Sequence, residues 1–204
     1  ECIPNLKAVM REGDFKDEEE GRRRGKVERL IDRFQLLAHP EGGYYARAFR
    51  AGEVLSGAQL PDRYQGKPRE VYSSIHFLLV PGSPSRFHKL NTDELWHFYD
   101  GDPVRIWVLN PDTSMCTSVL LTGAIPNREC FQARVPRGVW FAAELDEEER
   151  ERKRSTERGV CQYALLGCTL APGFEFADFS LASRKALLAA FPPSTHPLIC
   201  RLTA

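Results

Sequence analysis

The stretch of sequence that decides the fold is FHKLNTDELWHFYDG, residues 87–101. It places His88 six residues before Glu94, and Gly101 follows Glu94 by seven residues. Imidazole and carboxylate side chains are able to exchange protons and to bind divalent metals, so both residues are candidates for a functional site. Strand-forming residues surround them, and the turn residues GDP at 101–103 follow. The stretch therefore predicts paired strands and a candidate site in the same place.

The rest of the chain reads as short strands separated by turns. In residues 70–80, EVYSSIHFLLV, the side chains of Tyr72, Ser74 and His76 share one face, and Ile75, Phe77 and Leu79 share the other. Further strand candidates are 95–99, 104–109, 117–121, 130–135, 140–145 and 161–170. Glycine and proline turns separate most of them. Many short strands at this rhythm predict an all-β sandwich or barrel.

Two helices flank these strands in the prediction. Apolar residues at helical spacing, Val27, Leu30, Ile31, Phe34 and Leu37, predict a helix over 27–38 that Pro40 ends. Ser183 is placed to cap a last helix over 184–191. The predicted organisation is a charged, flexible lead-in at 1–26, a single domain at 27–193 and a tail at 194–204. Within the domain, residues 144–158 form a charged, exposed excursion that ion pairs favour as a helix.

Composition excludes several classes of function. Lys plus Arg equals Asp plus Glu, 28 of each, so the net charge gives no reason to expect nucleic acid or a membrane surface as partner. No apolar run approaches the roughly 20 residues of a membrane span. The start of the sequence, from Glu1, has no signal-peptide pattern. None of the six cysteines forms a C-x-x-C pair, which favours a reducing, cytoplasmic setting.

Five ordered blocks of sequence resemble the cupin-5 family, a domain of unknown function within the cupin superfamily. The blocks are HPEGGYYARAFR (39–50), SSIHFLL (73–79), SRFHKLNTDELWHFYDGDP (85–103), VPRGVWFAAEL (135–145) and LLGCTLAPGFEFADFSLASRKALLAAFP (165–192). The resemblance implies a double-stranded β-helix, which is a jelly-roll barrel of two antiparallel sheets, with a pocket in its mouth. It also implies a homodimer, and it implies no known reaction.

The resemblance leaves the metal box of a cupin incomplete. A complete cupin site uses three histidines and one glutamate, and Leu90 and Phe141 stand where two of those histidines belong. Two protein ligands hold a metal only weakly. We therefore expect no metal or other cofactor, with one alternative in which His76 joins His88 and Glu94 as ligands. That alternative requires the Ser74 and His76 face to turn inward, and strand parity turns His97 away from Glu94.

Without a metal, the pocket still collects chemically useful groups. His88 beside Glu94 is a candidate general base, since a carboxylate neighbour raises and orients an imidazole. Strand parity places Arg86 on the face of His88, where its guanidinium would bind a carboxylate or phosphate. The other candidate ligand-binding residues are Ser74 and His76, the wall formed by Trp140 and Phe141, and the polar ends of Glu41 and Tyr45. Each of these residues also has a purely structural interpretation. His88 or Arg86 would then only pair with Glu94, and the tryptophans would belong to the apolar core.

Three functions remain open from the sequence. The first is a metal-independent epimerase or isomerase that uses His88 and Glu94 on a small polar, sugar-like metabolite. The second is a non-catalytic protein that binds a small molecule in the same pocket, which the apolar Leu90 and Phe141 favour. The third is a metal-dependent enzyme with a rebuilt site. Neither a phosphate-binding glycine loop nor a G-x-S-x-G nucleophile motif is present in the sequence.

Overall fold

The computed structural model describes residues 25–123, 131–154 and 161–204. Its strands are β1 (Leu37–Ala38), β2 (Tyr44–Arg50), β3 (Val54–Leu55), β4 (Arg69–Glu70), β5 (Ser73–Leu79), β6 (Ser85–Leu90), β7 (Glu94–Gly101), β8 (Val104–Asn110), β9 (Met115–Leu121), β10 (Gln132–Val135), β11 (Trp140–Leu145), β12 (Ala164–Leu170) and β13 (Phe179–Leu181). The helices are α1 (Lys26–Phe34), α2 (Glu147–Arg154), α3 (Arg184–Ala190) and α4 (His196–Arg201). Nearly all of the predicted lead-in lies outside the described residues.

Two antiparallel sheets form the body of the protein, which confirms the predicted jelly-roll fold. The first has six strands in the order β1-β2-β5-β12-β7-β10, and the second has five in the order β13-β6-β11-β8-β9. Strands β3 and β4 pair separately. The apolar core between the sheets includes the fully buried Phe77, Trp96, Ile106, Phe141 and Leu166. Alternation along each strand sends one set of side chains into this core and the other outward.

The N-terminal helix ends earlier than the sequence pattern predicts. Gln35 takes a left-handed conformation, and its N–H bonds back to Asp32 and Ile31, so α1 stops there and Leu37 begins a strand. The apolar side of α1 packs on the outer face of the six-stranded sheet around Leu78. The longest described helix, α1, has nine residues, so no described helix is long enough to cross a membrane.

The C-terminal residues are part of the packed structure. Where the sequence predicted one helix and a tail, the structure has α3 and a further helix, α4. Ile199 and Leu202, one helical turn apart, are fully buried against Phe87 on the outer face of the five-stranded sheet. Pro192 and Pro193 separate the two helices. Because prolines end helices, the sequence predicted that the domain ends at residue 193.

The charged excursion is anchored to the barrel. Its helix, α2, sends Arg150 to Asp102, and both side chains are almost completely buried. Asp102 also accepts hydrogen bonds from the backbone N–H groups of Cys161 and Gln162. Asp146, just before α2, pairs with Arg105. A highly charged sequence therefore forms a docked helix here because its central cation has a buried partner.

Candidate functional site

An irregularity in β6 decides which side chains enter the barrel. His88 lies opposite Phe141 and Ser85 lies opposite Ala143, so β6 has one residue more than β11 across the same span. Such a β-bulge breaks the simple alternation of sides. Ser85 and His88 are therefore both buried and both reach Glu41, whereas the side chain of Arg86 lies outside them. The parity argument that put Arg86 beside His88 was wrong for this reason.

The loop between β1 and β2 brings two further groups into the barrel. Glu41 is almost completely buried, and its Oε1 accepts a hydrogen bond from Ser85 Oγ at 2.8 Å. His39 Nδ1 lies 3.3 Å from Glu41 Oε2. Arg86 holds this loop from outside, since Nε donates to the Glu41 carbonyl at 3.0 Å and an Nη donates to the Pro40 carbonyl at 2.9 Å. The segment HPEGG therefore supplies site residues as well as a turn.

Gly42 allows that loop to approach β6. Its φ is +114°, and a Cβ built on it would lie 2.0 Å from the carbonyl oxygen of Pro84. Gly82 offers a matched control, because its φ is +76° but nothing lies within 4 Å of its added Cβ. We expect Gly82→Ala to lower the free energy of unfolding by about 1 kcal/mol through backbone strain alone. Gly42→Ala should lower it by about 2–4 kcal/mol, since the loop must also move away from Pro84.

Urea denaturation of the two glycine variants measures this difference. Equal destabilisation of both would mean that the loop accommodates a methyl group. A preserved stability in Gly42→Ala, with chemical shifts unchanged at Ser85, would contradict the close approach itself.

His88 pairs with Glu41 and not with Glu94. His88 Nε2 lies 3.4 Å from Glu41 Oε2, and its Nδ1 lies 2.8 Å from the carbonyl oxygen of Arg86. Because a carbonyl only accepts, Nδ1 carries a proton and donates it, which leaves Nε2 as the nitrogen that titrates. Burial lowers the pKa of His88, and the charge of Glu41 only partly opposes this. Neutral imidazole with a free lone pair on Nε2 is thus favoured.

The pKa values of the two glutamates are shifted in opposite directions. Burial alone raises the pKa of Glu41, but His88, His39 and Ser85 together lower it below its ordinary value. Burial and the charge of Glu41 raise the pKa of Glu94 to about 8, although a hydrogen bond from Trp96 opposes the shift. That bond, from Trp96 Nε1 to Glu94 Oε2, is 2.7 Å long. Near neutral pH, Glu41 is therefore a carboxylate and Glu94 is a neutral acid.

A small cavity of about 50 Å³ opens beside these groups. Its polar lining consists of His39, Glu41, Tyr45, Ser73, His88 and Glu94. Its apolar lining consists of Ile75, Phe77, Leu90, Leu170, Phe174 and Phe179, and Cys168 completes it. Burial, together with the charges of Glu94 and Glu41, raises the pKa of the Cys168 thiol well above its ordinary value, so this cysteine is not an activated nucleophile.

The structure separates the predicted site residues into two groups. His88, Glu94, Glu41 and Tyr45 line the cavity, and the ring of Phe141 lies behind His88 at a centroid distance of 4.0 Å. The remaining predicted residues, Ser74, His76, Trp140 and Arg86, lie outside it. Ser74 bonds to Thr169, and His76 packs under α1 against Phe34 at 4.5 Å. Trp140 packs with the C-terminal helices and carries the Lys89 ammonium over its ring.

Three polar residues of the site, His39, Ser73 and Ser85, were missed by the sequence prediction. His39 stands two residues before Glu41 in the segment HPEGG, and this spacing was a usable signal. Its ring packs edge-on against Tyr45 at 4.6 Å. Ser85 gave no signal, because its inward direction depends on the bulge in β6.

Comparison with known proteins identifies the family. A family profile described as Cupin superfamily (DUF985) matches residues 28–182. The chain belongs to this family. The uncharacterized protein YML079W of Saccharomyces cerevisiae is similar to it, with 27% identity over 157 residues that cover 74% of this chain and 73% of the yeast protein. The predicted resemblance to the cupin-5 family is confirmed.

Solved structures extend the likeness over most of the cupin domain. A hypothetical protein from Leishmania major has a TM-score of 0.72 and 29% identity, and the match covers 87% of this chain and 98% of that one. Protein SO0799 from Shewanella oneidensis has a TM-score of 0.69 and 30% identity, covering 87% of this chain and 97% of that one. The descriptions of these relatives name no substrate or reaction, so chemistry must be argued from the site.

The donors of this cupin do not fit a metal centre. Within residues 25–123, 131–154 and 161–204, no group of three or more His, Cys, Asp and Glu side chains is arranged to hold a metal. Leu90 lines the cavity where a second histidine would stand, and His76, the possible replacement, lies on the outer face of the sheet. His88 Nε2 faces Glu41 at 3.4 Å.

The buried acid Glu94 should give the stability of this cupin a distinctive pH dependence. Its folded pKa of about 8 lies above the ordinary value of 4.5, so between these values the folded state keeps a proton that the unfolded state has released. Stability is therefore lost as pH rises through this window. Glu94→Gln removes this loss and keeps an acceptor for Trp96. We expect the stability of the variant relative to wild type to rise by up to ~1.4 kcal/mol per pH unit.

The measurement is urea denaturation of both proteins between pH 5 and 8.5. Glu41, His39, His88 and Cys168 are the other titratable groups that interact around this site, and taking the difference between variant and wild type removes most of their contribution. Glu53→Gln, at an exposed carboxyl, controls for the loss of one charge. A difference for Glu94→Gln that stays flat across the range would show that Glu94 is ionised in the folded protein.

Proposed function

We propose that this cupin-superfamily protein is a metal-independent isomerase or epimerase that acts on a small metabolite in the barrel cavity. The observation that carries the proposal is that one buried cavity holds both a base and an acid. The base is His88 beside the Glu41 carboxylate, and the acid is the neutral Glu94. Buried titratable groups whose pKa values are driven apart are typical of acid–base active sites. The sequence predicted a sugar-like metabolite. We propose a less polar ligand, because half of the cavity lining is apolar.

The proposed roles follow from the proton positions. His88 Nε2 removes a proton from the carbon next to a carbonyl group, and Glu41, 3.4 Å away, stabilises the imidazolium that forms. Glu94 donates its proton to the carbonyl oxygen, and the product of this step is an enol. Return of the proton from His88 to the opposite face of the same carbon, once the enol has turned over, completes an epimerisation when Glu94 takes back the enol proton. If that carbon carries a hydroxyl group, return of the proton to the former carbonyl carbon, with the hydroxyl proton taken up by Glu94, completes an isomerisation. Atoms and charge balance without a cofactor.

Hydrogen exchange with solvent tests the proposal before the substrate is known. The protein is incubated in D₂O with a panel of small carbonyl metabolites, and loss of the C–H signal next to the carbonyl is followed by proton NMR. Enzyme-dependent deuteration of one compound supports proton transfer at carbon. Exchange that persists unchanged when Glu94 is replaced by Gln and His88 by Gln would reject the assigned roles.

A non-catalytic binding protein is the second candidate. The apolar residues Leu90 and Phe141 favour it, since they replace polar ligands and leave an apolar wall typical of binding pockets. A compound recovered unaltered from the purified protein, and not deuterated during prolonged incubation, would support this candidate over the enzyme.

We also propose a homodimer, on the family resemblance and one surface feature. A row of paired residues crosses the outer face of the six-stranded sheet in the order Phe49, Ser74, Thr169, Leu95 and Arg134, and its two apolar members, Phe49 and Leu95, are 66% and 43% exposed. Exposed apolar side chains on a sheet face are typical of an interface. Light scattering at micromolar concentration should give twice the chain mass, and a monomer mass would reject the dimer.

A further inference from the structure

No lysine or arginine side chain lines the cavity among the described residues, and its only basic groups are the imidazoles of His39 and His88. Three basic residues that lie near it are each engaged elsewhere. Arg86 binds the carbonyl oxygens of the 40–41 loop, and Lys89 lies over the Trp140 ring on the outer surface. Arg69 forms two hydrogen bonds with Asp178, at 2.7 and 2.9 Å. A carboxylate or phosphate entering the cavity would therefore find no guanidinium or ammonium group to bind.

The acidic groups in the cavity make an anion still less favourable. Glu41 and Glu94 both face the interior, and their side chains are more than nine-tenths buried. A negative ligand would be desolvated beside the Glu41 carboxylate, and like charges in a buried site repel strongly. The remaining walls, which include Ile75, Leu90 and Leu170, are apolar and suit a ligand body of carbon atoms.

Glu94 has one oxygen that is free for a ligand. Trp96 Nε1 binds Oε2, and no other hydrogen bond of the Glu94 side chain is found in the described part of the chain. A buried carboxyl with an unused oxygen, in a cavity, calls for a polar partner. The cavity of about 50 Å³ has room for roughly four water-sized positions, since one such position needs about 10–15 Å³.

We infer that the ligand is a small uncharged carbonyl compound, a ketone or aldehyde with an apolar body, whose oxygen meets Glu94 and whose carbon chain lies against the apolar wall. This inference rests on the proposed function and narrows it. Carboxylates, sugar phosphates and nucleotides are excluded by the charge of the cavity.

Three isosteric probes test the inference: 2-butanone, propanoate and sec-butylammonium. Each is titrated at pH 7 into protein with methyl-¹³C isoleucine and leucine, and the methyl signals of Ile75, Leu90 and Leu170 report binding in the cavity. We expect 2-butanone to bind at least tenfold more tightly than propanoate. Leu90→Phe, which fills the cavity, should abolish the shifts, and Met115→Phe, at an exposed site on β9 away from the cavity, should leave them unchanged.

The outcomes separate the inference from the proposed function. Propanoate binding as tight as 2-butanone, tightest binding by sec-butylammonium, or no binding of 2-butanone would each overturn the inference. Binding of 2-butanone without deuteration in D₂O would keep the ligand class and reject catalysis. Enzyme-dependent deuteration of a carboxylate or phosphate compound would keep catalysis and reject the ligand class.

Discussion

Asp178→Ala is expected to lower the free energy of unfolding by about 3–5 kcal/mol, because it leaves the Arg69 guanidinium buried without its counter-ion. The two side chains are only 3% and 6% exposed, and two hydrogen bonds join them. An arginine side chain keeps its proton in proteins, so the guanidinium of the variant cannot escape the loss by becoming neutral. The pair also joins β4 to the turn before β13, which carries the cavity residue Phe179.

Urea denaturation measures this loss of stability. Two further variants compare it with the loss of an exposed ion pair and with an apolar replacement of the buried pair. Arg134→Ala breaks an ion pair of Arg134 with Asp93 in which the side chains are 63% and 35% exposed, and it should cost less than about 1 kcal/mol. The double variant Arg69→Met with Asp178→Leu should be much more stable than Asp178→Ala, since no buried charge is left unpaired. A loss below 1 kcal/mol in Asp178→Ala would mean that water reaches Arg69.

His88→Gln should reduce the rate of substrate deuteration by about 10²–10⁴-fold, the usual contribution of a positioned general base. Gln keeps a polar side chain of similar reach but has no basic nitrogen. His97→Gln is the matched control, because His97 lies on the outer face of β7 and contacts Gln132 instead of the cavity. The control should retain the wild-type rate.

The pH profile separates catalysis from structural damage. Glu41→Gln removes a carboxylate whose charge raises the pKa of His88, the general base, and of Glu94, the general acid. Both limbs of the rate profile should therefore move to lower pH, in addition to a lower rate. Methyl NMR spectra check that each variant keeps its fold. Full activity in His88→Gln would show that His88 is not the general base. This conclusion is independent of the stability measurements.

The fold was predictable because it depends on local patterns repeated along the chain. Alternating apolar residues and turn residues define each strand, and the order of the sequence blocks defines the cupin arrangement. The C-terminal helix α4 was not predicted. Its two buried residues, Ile199 and Leu202, are recognised as core residues only when the sheet that they cover is known. A helix in the charged segment was predicted, but its docking onto the barrel was not, since Arg150 and its partner Asp102 are 48 residues apart in the sequence.

The site was only half predictable, since it depends on which way strands face and how loops return. Sequence alone determined that His88 and Glu94 are present without a full set of metal ligands. Tertiary structure decided that Glu41 and not Glu94 is the partner of His88, through a bulge in β6 and a loop held by Gly42 and Arg86. Side-chain direction changes with a single inserted residue, and burial sets the protonation of Glu94. The local sequence pattern encodes neither the direction of the β6 side chains nor the protonation state of Glu94, because both arise from contacts between distant parts of the chain.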